Sequence, residues 1–129
     1  MKHDSFTRFV MDQLSALPGL RTKAMFGGHG LYQGSDFFGI LMDGRVYFKT
    51  DEHTRGVYLK RGMAPFIYEK ARRTMTINYF EVPLEVLENR DEFVAWATQA
   101  VHAGKKAKRR IKVRLPTRRA AAKRSGDVL

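Results

Sequence analysis

The chain has 129 residues, a length that predicts one domain with a modest hydrophobic core. It contains no cysteine, which excludes disulfides, thiolate metal sites and cysteine nucleophiles. Its apolar runs fall well short of the roughly 20 residues that a membrane-spanning helix needs, and we find no signal-peptide pattern. The net charge of +11 favours an anionic partner, either nucleic acid or an anionic membrane surface.

The basic charge is concentrated at the C-terminal end of the chain. Residues 104–129 hold eleven basic side chains and one acidic one, a net charge of +10, whereas residues 1–103 hold thirteen basic and twelve acidic ones. Contacts made by charge alone do not read base sequence, so this tail predicts non-specific affinity for DNA. The side chains that we predict to bind nucleic acid are Lys105, Lys106, Lys108, Arg109, Arg110, Lys112, Arg114, Arg118, Arg119, Lys123 and Arg124. The alternation over 111–115 also allows an added edge strand, whereas Pro116 and the small number of large apolar residues argue against a helix on a membrane surface. We therefore expect no membrane partner.

The first predicted elements are a helix and an antiparallel meander. Asp4 or Ser5 can cap a helix whose apolar residues follow helical spacing, and Pro18 stops it. Glycines then separate four predicted strands, at 22–26, 30–33, 37–42 and 45–50, of which the first two could be one interrupted strand. An Asp-Gly pair between apolar runs, here Asp43 and Gly44, is a strong signal for a two-residue hairpin turn.

The second half of the chain alternates between helical and strand patterns. The predicted elements are a helix over 52–61 capped by Thr50 or Asp51, strands at 66–68 and 74–82, and helices over 83–88 and 90–103. Asn89 begins a capping box for the last helix, and Gly104 is predicted to end it. The order α-β(3-4)-α-β(2)-α predicts an α+β fold, a two-layer sandwich with helices on one face of an antiparallel sheet. We expect a domain over residues 1–104 and a flexible basic tail over 105–129.

Several stretches resemble the N-terminal domain of the TfoX/Sxy competence regulators. They are Met25-Phe26-Gly27-Gly28-His29-Gly30-Leu31-Tyr32, the run from Phe37 to Lys49, and the run from Tyr79 to Leu87 with the helix around Trp96. The resemblance covers about residues 3–103 and implies a two-layer α/β fold. Residues with a predicted structural part in the signature turn and strand are Met25, Phe26, Gly27, Gly28, Gly30 and Tyr32.

The same resemblance implies a bacterial, cytoplasmic accessory protein that is not an enzyme. Full-length regulators of this family are co-activators of DNA-uptake genes, alongside the cyclic-AMP receptor protein. They carry a second, helical domain, whereas this sequence has the basic tail in its place. The resemblance supplies no catalytic residues. It implies a protein partner in the transcription machinery and leaves the oligomeric state open between monomer and homodimer.

No catalytic or metal-binding pattern supports an enzyme. The glycines at 27–30 are followed by strand-like residues and not by a phosphate-binding helix, which favours a turn or bulge. The four histidines lack metal-ligand spacing, and His29, in the glycine-rich turn, is favoured as a plain turn residue over a ligand. We therefore expect no cofactor and no metal. The alternative function is a protein-interaction module, either a monomer or a homodimer, whose tail only adds solubility. Exposure of Tyr32, Tyr47 and Phe80 on its sheet would mark a partner site, although partial burial under a helix is favoured.

Overall fold

The computed structural model describes residues 5–25, 27–70 and 73–121, with side chains over 5–25, 27–67 and 78–106. Its elements confirm the predicted α+β class. In chain order they are α1 (Ser5–Gln13), β1 (Leu20–Met25), β2 (Gly28–Gln33), β3 (Asp36–Met42), β4 (Arg45–Lys49), α2 (Arg55–Lys60), β5 (Pro65–Lys70), β6 (Arg73–Glu81), α3 (Leu84–Leu87) and α4 (Arg90–Ala121).

All six of these strands form one antiparallel sheet, in the order β1-β2-β3-β4-β6-β5. The predicted Asp-Gly hairpin is confirmed, since Met42 pairs with Arg45 across a two-residue turn in which Asp43 has φ 51° and Gly44 has φ 72°. Positive φ at both turn residues matches the right-handed twist of the flanking strands. β1 and β2 are separate paired strands on either side of Gly27, so the alternative of one interrupted strand is wrong.

The helices pack on one side of the sheet, as predicted, and this side is called the helical face below. α4 lies across β3 and β4, where the ring of Phe93 stacks on Phe48 with centroids 5.4 Å apart. Each helix adds buried residues to this core, including Val10 from α1, Tyr58 from α2 and Val86 from α3. Helix positions three or four residues apart share a face, which is why their apolar spacing was readable from the sequence.

The opposite side of the sheet carries a smaller cluster of apolar residues, called the aromatic face below. It is defined by Tyr32, Phe37, Ile40, Tyr47, Phe66 and Tyr79. A bulge produces it, because the pairing of β2 with β3 shifts at Leu31 and Tyr32 and leaves Phe38 as an extra residue. Phe37 and Ile40 therefore share this face although they stand three positions apart.

Three aromatic residues with two predicted alternatives, Tyr32, Tyr47 and Phe80, lie on different faces of the sheet. Phe80 is only 6% exposed and belongs to the core of the helical face. Tyr32 and Tyr47 are half-buried on the aromatic face, where neighbouring rings cover them and not a helix. The preference for burial under a helix was therefore correct for Phe80 and wrong for the two tyrosines.

The last helix differs most from its prediction, because α4 does not end at Gly104. A β-carbon on Gly104 would lie 3.3 Å from the carbonyl oxygen of Phe37, so this glycine lets α4 pass close to β3. The alternating stretch at 111–115 is helical and adds no strand. The predicted cap Asp4 lies outside the described residues, as do the strand end Phe26 and the tail residues 122–129.

Candidate interaction surfaces

The family-signature glycines lie at the turn between β1 and β2. Gly27 has φ 84°, a conformation that favours glycine. A β-carbon on Gly28 would overlap the carbonyl oxygen of Leu41 on β3, and one on Gly30 would lie 3.0 Å from the Met25 sulfur and from the Phe37 ring. Gly28 and Gly30 thus allow close strand packing, whereas Gly27 has open space around it and is favoured by its backbone conformation. No helix begins directly after these glycines.

The first two residues of the basic segment 105–129 form ion pairs with the domain. The ammonium of Lys105 lies 3.8 Å from a carboxylate oxygen of Asp36 at the start of β3. The ammonium of Lys106 donates a hydrogen bond of 3.3 Å to Asp51, which follows β4. Together with the close approach at Gly104, these contacts hold the middle of α4 against the sheet.

Asp51 is the acceptor at the centre of this attachment. Its Oδ1 accepts hydrogen bonds of 2.9 Å from the backbone N–H groups of His53 and Thr54, and the Thr54 hydroxyl accepts one of 3.0 Å from the Asp51 N–H. This reciprocal pair caps the turn before α2 and explains why α2 begins at Arg55 and not at residue 52. Partial burial raises the pKa of Asp51, but these donors and Lys106 outweigh burial and lower the pKa to about 2.

The other predicted nucleic-acid-binding residues lie further along the chain. Seven of them, from Lys108 to Arg119, occupy the helical backbone of α4, and Lys123 and Arg124 lie outside the described residues. The fifteen helical residues after Lys106 span about 22 Å at 1.5 Å per residue. At 100° per residue their basic positions are distributed around the whole helix axis, so no single stripe collects them.

The aromatic face places cations beside rings. Arg21 lies over the ring of Tyr32 at 5.1 Å, and Lys49 lies over the ring of Tyr79 at 5.3 Å. Burial lowers the pKa of Lys49. The sequence prediction missed this surface, although the spacing of Arg21, Lys23 and Met25 at every second position of β1 was a signal for it.

On the helical side, Arg61 links three elements. Its guanidinium lies 3.7 Å from Glu85 of α3 and 3.8 Å from Glu92 of α4, and it lies 5.4 Å from the ring centroid of Trp96. Beside this link, a cleft of about 220 Å³ is lined by Lys49, Thr54, Val57, Tyr58, Trp96, Gln99 and Ala100. These lining residues include no carboxylate and no histidine.

Over the part of the chain that the structure describes, no group of three or more His, Asp or Glu side chains is placed to hold a metal ion. Within the same residues, no helix is both long enough and apolar enough to cross a membrane. His29 lies in β2, paired with Ala24 and Leu41.

The fold and these surfaces define a two-layer α+β domain whose last helix extends into a basic segment. The family model of the TfoX N-terminal domain matches residues 12–104, and the chain therefore belongs to the TfoX N-terminal domain family. It is also similar to Protein Sxy of Escherichia coli (strain K12), with 26% identity over 110 residues that cover 84% of this chain and 53% of Sxy. The chain thus spans about half the length of the curated relative that it matches.

Proposed function

We propose that this protein is a non-enzymatic accessory regulator of bacterial transcription or competence. In this proposal the globular domain binds a protein of the transcription machinery, and the basic segment after Lys106 binds DNA without sequence preference. Membership of the TfoX N-terminal domain family supports the regulatory part. The division of charge between a nearly neutral domain and a strongly basic C-terminal segment supports the DNA-binding part.

The observation that carries the DNA-binding part is the number of basic residues that follow Lys106 in the sequence. Lys105 and Lys106 pair with Asp36 and Asp51, so nine of the eleven basic residues stand beyond these ion pairs. A duplex presents one phosphate charge per roughly 1.7 Å of its axis, so a 22 Å basic helix passes many phosphates. The basic positions lie on all sides of this helix, which fits non-specific contact and not the reading of one groove.

A titration of duplex DNA tests this part of the proposal. The protein is compared with a variant in which the seven basic residues from 108 to 119 become Gln, while Lys105 and Lys106 remain because they attach α4 to the domain. If about six phosphates are engaged, the logarithm of the association constant falls against the logarithm of salt concentration with a slope near −5. We expect weak binding and a shallow slope for the variant.

The control for this titration is the double variant Arg8→Gln/Lys60→Gln, which removes two exposed cations from α1 and α2. We expect it to bind duplex DNA nearly as the unmodified protein does. Equal affinity and equal salt dependence for the seven-residue variant would reject the role of the segment. That result would favour the alternative, a protein-interaction module whose tail only adds solubility.

The partner-binding part is supported by exposed apolar side chains on α2 and α3. Leu59 is 56% exposed and Leu84 is 65% exposed, on two helices that Arg61 links. Contiguous exposed apolar patches mark protein contacts, and the proposal places these two leucines in such a patch. We expect Leu59→Ser/Leu84→Ser to weaken binding to purified RNA polymerase or cyclic-AMP receptor protein, whereas Ile67→Ser, at an equally exposed position on β5, does not. Absence of binding by the unmodified protein to either partner would reject this part.

A further inference from the structure

The aromatic face combines two kinds of side chain that single-stranded nucleic acid requires. We propose that this face binds a single strand of DNA or RNA, with bases stacked on its rings and phosphates bound by the cations of β1 and β4. This activity goes beyond the proposed function, in which duplex DNA is bound by α4. It concerns the opposite side of the sheet and different residues.

The rings form a row across the sheet. The ring of Tyr32 on β2 lies 5.2 Å from Phe37 on β3, and Phe37 lies 5.5 Å from Tyr79 on β6. Tyr47 on β4 contacts Phe66 on β5 at 5.0 Å. Tyr32, Phe37 and Tyr47 are half-buried, so each ring is supported from the side and still reaches solvent. Rings held in this way offer a stacking surface that costs little conformational entropy on binding.

The cations lie beside these rings. Arg21 and Lys23 are exposed and, two positions apart on β1, point to the same side of the sheet; Arg21 pairs in register with Tyr32. Lys49 is half-buried on β4, and its ammonium lies 5.3 Å from the ring centroid of Tyr79 on this face. Two described carboxylates act on Tyr47 of this face, Glu81 of β6 and Asp43 in the turn between β3 and β4, and Arg45 lies 3.4 Å from Glu81. The four cations Arg21, Lys23, Arg45 and Lys49 outnumber them. The face is therefore positively charged.

The chemistry of the face favours an unpaired strand over a duplex. Bases in a duplex are stacked on one another and do not offer their faces to a protein, whereas unpaired bases stack on aromatic side chains. Arg21 and Lys49 now cover parts of two rings, and a base would take that place while the displaced cation moves to a phosphate. An acidic peptide would satisfy the cations but would leave the stacking surface unused.

The basic C-terminal segment should not produce a preference for single strands over duplexes, because residues 105–129 contain no Phe, Tyr or Trp on which bases could stack. Binding by that segment is expected to depend on charge and to lack the stacking that an unpaired strand adds. A preference for single strands must therefore come from the domain. The full chain is titrated by fluorescence anisotropy with a 15-nucleotide oligothymidine and with a 15-base-pair duplex, and we expect the single strand to bind more tightly at equal salt.

The first variant removes charge from β1 only. We expect Arg21→Gln/Lys23→Gln to weaken oligothymidine binding about tenfold and to make its salt slope shallower by about 1.4, as expected for two lost contacts to a single strand. Duplex binding should stay unchanged. The matched control is Arg8→Gln/Lys60→Gln, which removes one Arg and one Lys from the helical side. Equal losses for the two double variants would overturn the proposal.

The second variant removes a stacking ring. Tyr47→Leu retains an apolar side chain against Phe66, and we expect it to weaken oligothymidine binding about tenfold without changing duplex binding. Thermal unfolding of the variant checks that it folds. If it does not fold, ultraviolet cross-linking of a 4-thiothymidine oligonucleotide to the unmodified chain decides, and cross-links are expected in β1–β4.

Three results would reject this proposal: no preference for the single strand, unchanged single-strand binding in Arg21→Gln/Lys23→Gln, or cross-links confined to residues 105–129. If the protein binds duplex DNA but shows no preference for the single strand, contact with another protein would remain as the explanation for the positive charge of the aromatic face. Failure of the seven-residue α4 variant to lose duplex binding would instead reject the proposed function, so the two failures are separable.

Discussion

Gly28 lies where β2 passes so close to β3 that a side chain has no room. A β-carbon there would overlap the carbonyl oxygen of Leu41 and lie 3.2 Å from its carbonyl carbon. Both of these atoms belong to the backbone, which can yield only if the strands separate. Packing alone is therefore a sufficient reason for glycine at this signature position.

We predict that Gly28→Ala lowers the free energy of unfolding by about 1–3 kcal/mol, the usual cost of overpacking. The matched control is Gly56→Ala in α2, where a β-carbon meets nothing within 4 Å. That control should raise stability by about 0.5–1 kcal/mol, because alanine loses less backbone entropy in a helix. Chemical denaturation measures both variants, and a neutral Gly28→Ala would contradict the packing argument.

Asp51 gives a pH-dependent prediction. Its pKa of about 2 in the folded protein lies below the value of about 3.9 that is usual for Asp in an unfolded chain. The charged carboxylate therefore stabilises the fold fully above pH 4, and this contribution is lost as pH falls from about 4 to 2. Asp51→Asn should lower the free energy of unfolding by about 1 kcal/mol at pH 7, because the amide oxygen can still accept from the two N–H groups but the charge that pairs with Lys106 is lost.

Urea denaturation at pH 7, 4 and 2.5 tests this prediction. The stability difference between the unmodified protein and Asp51→Asn should narrow steadily over the lower two values. Asp43→Asn serves as the control, since Asn-Gly suits the same hairpin turn as Asp-Gly and the side chain is exposed. If this stability difference stays constant down to pH 2.5, Asp51 stabilises the fold through hydrogen-bond geometry and not through its charge.

α4 connects the core of the domain with the basic segment. Its first half stacks Phe93 on Phe48 and buries Ala97, Ala100 and Val101 against the sheet. Its N-terminus is capped by Asn89, whose side-chain oxygen accepts a hydrogen bond of 3.1 Å from the Glu92 N–H. Burial and capping therefore determine the helical conformation of this half of α4. The half beyond Lys106 contains no Phe, Tyr or Trp.

We predict that Phe93→Ala lowers the free energy of unfolding by about 3–5 kcal/mol, since Phe93 is fully buried and its loss leaves a cavity. Thr98→Ala, on the exposed side of the same helix, should change stability by less than about 0.5 kcal/mol. Denaturant unfolding measures both. Similar effects for the two variants would mean that α4 does not pack as described.

We also predict that the ion pairs of Lys105 and Lys106 order the chain around them. Lys105→Gln/Lys106→Gln should lower global stability by less than about 1 kcal/mol, because the two ammonium groups remain partly exposed to solvent and Asp51 keeps its two backbone donors. Hydrogen exchange of the amides from 105 to 110 should become clearly faster in the same variant, because the attachment to Asp36 and Asp51 is lost. Lys60→Gln is the control, and unchanged exchange in the double variant would contradict an ordering role.

In the molecule as a whole, the apolar contacts that stabilise the fold and most of the basic residues of the C-terminal segment lie in different parts of the chain. Its apolar contacts lie on two faces of one sheet, and seven of the basic residues of α4 lie beyond the ion pairs that attach this helix. Charges more than about 8 Å apart are largely screened at physiological salt, so repulsion within the basic segment should hardly reach the core.

We predict that replacing the seven basic residues from 108 to 119 by Gln leaves the midpoint of thermal unfolding at 0.15 M salt within about 2 °C of the unmodified value. The same variant should elute from a polyanion column at clearly lower salt. The control, Arg8→Gln/Lys60→Gln, should change neither quantity much. A large drop in the midpoint would mean that the segment takes part in folding.

The sequence by itself determined the order of elements, the Asp43-Gly44 hairpin, the Asn89 cap and the apolar stripe of α4. Each of these depends on residues within a few positions of one another, whose conformational preferences act locally. The concentration of charge after residue 104 was likewise visible without a structure.

Only the tertiary structure decided the bulge at Phe38, the aromatic face, the continuation of α4 through Gly104 and the pairing of its lysines with Asp36 and Asp51. These features depend on contacts between residues far apart in the chain. Gly104 looked like a helix stop because glycine has low helix propensity, yet close packing on β3 requires a residue without a β-carbon there. Tertiary contact outweighed local preference at the position where the domain meets its basic segment.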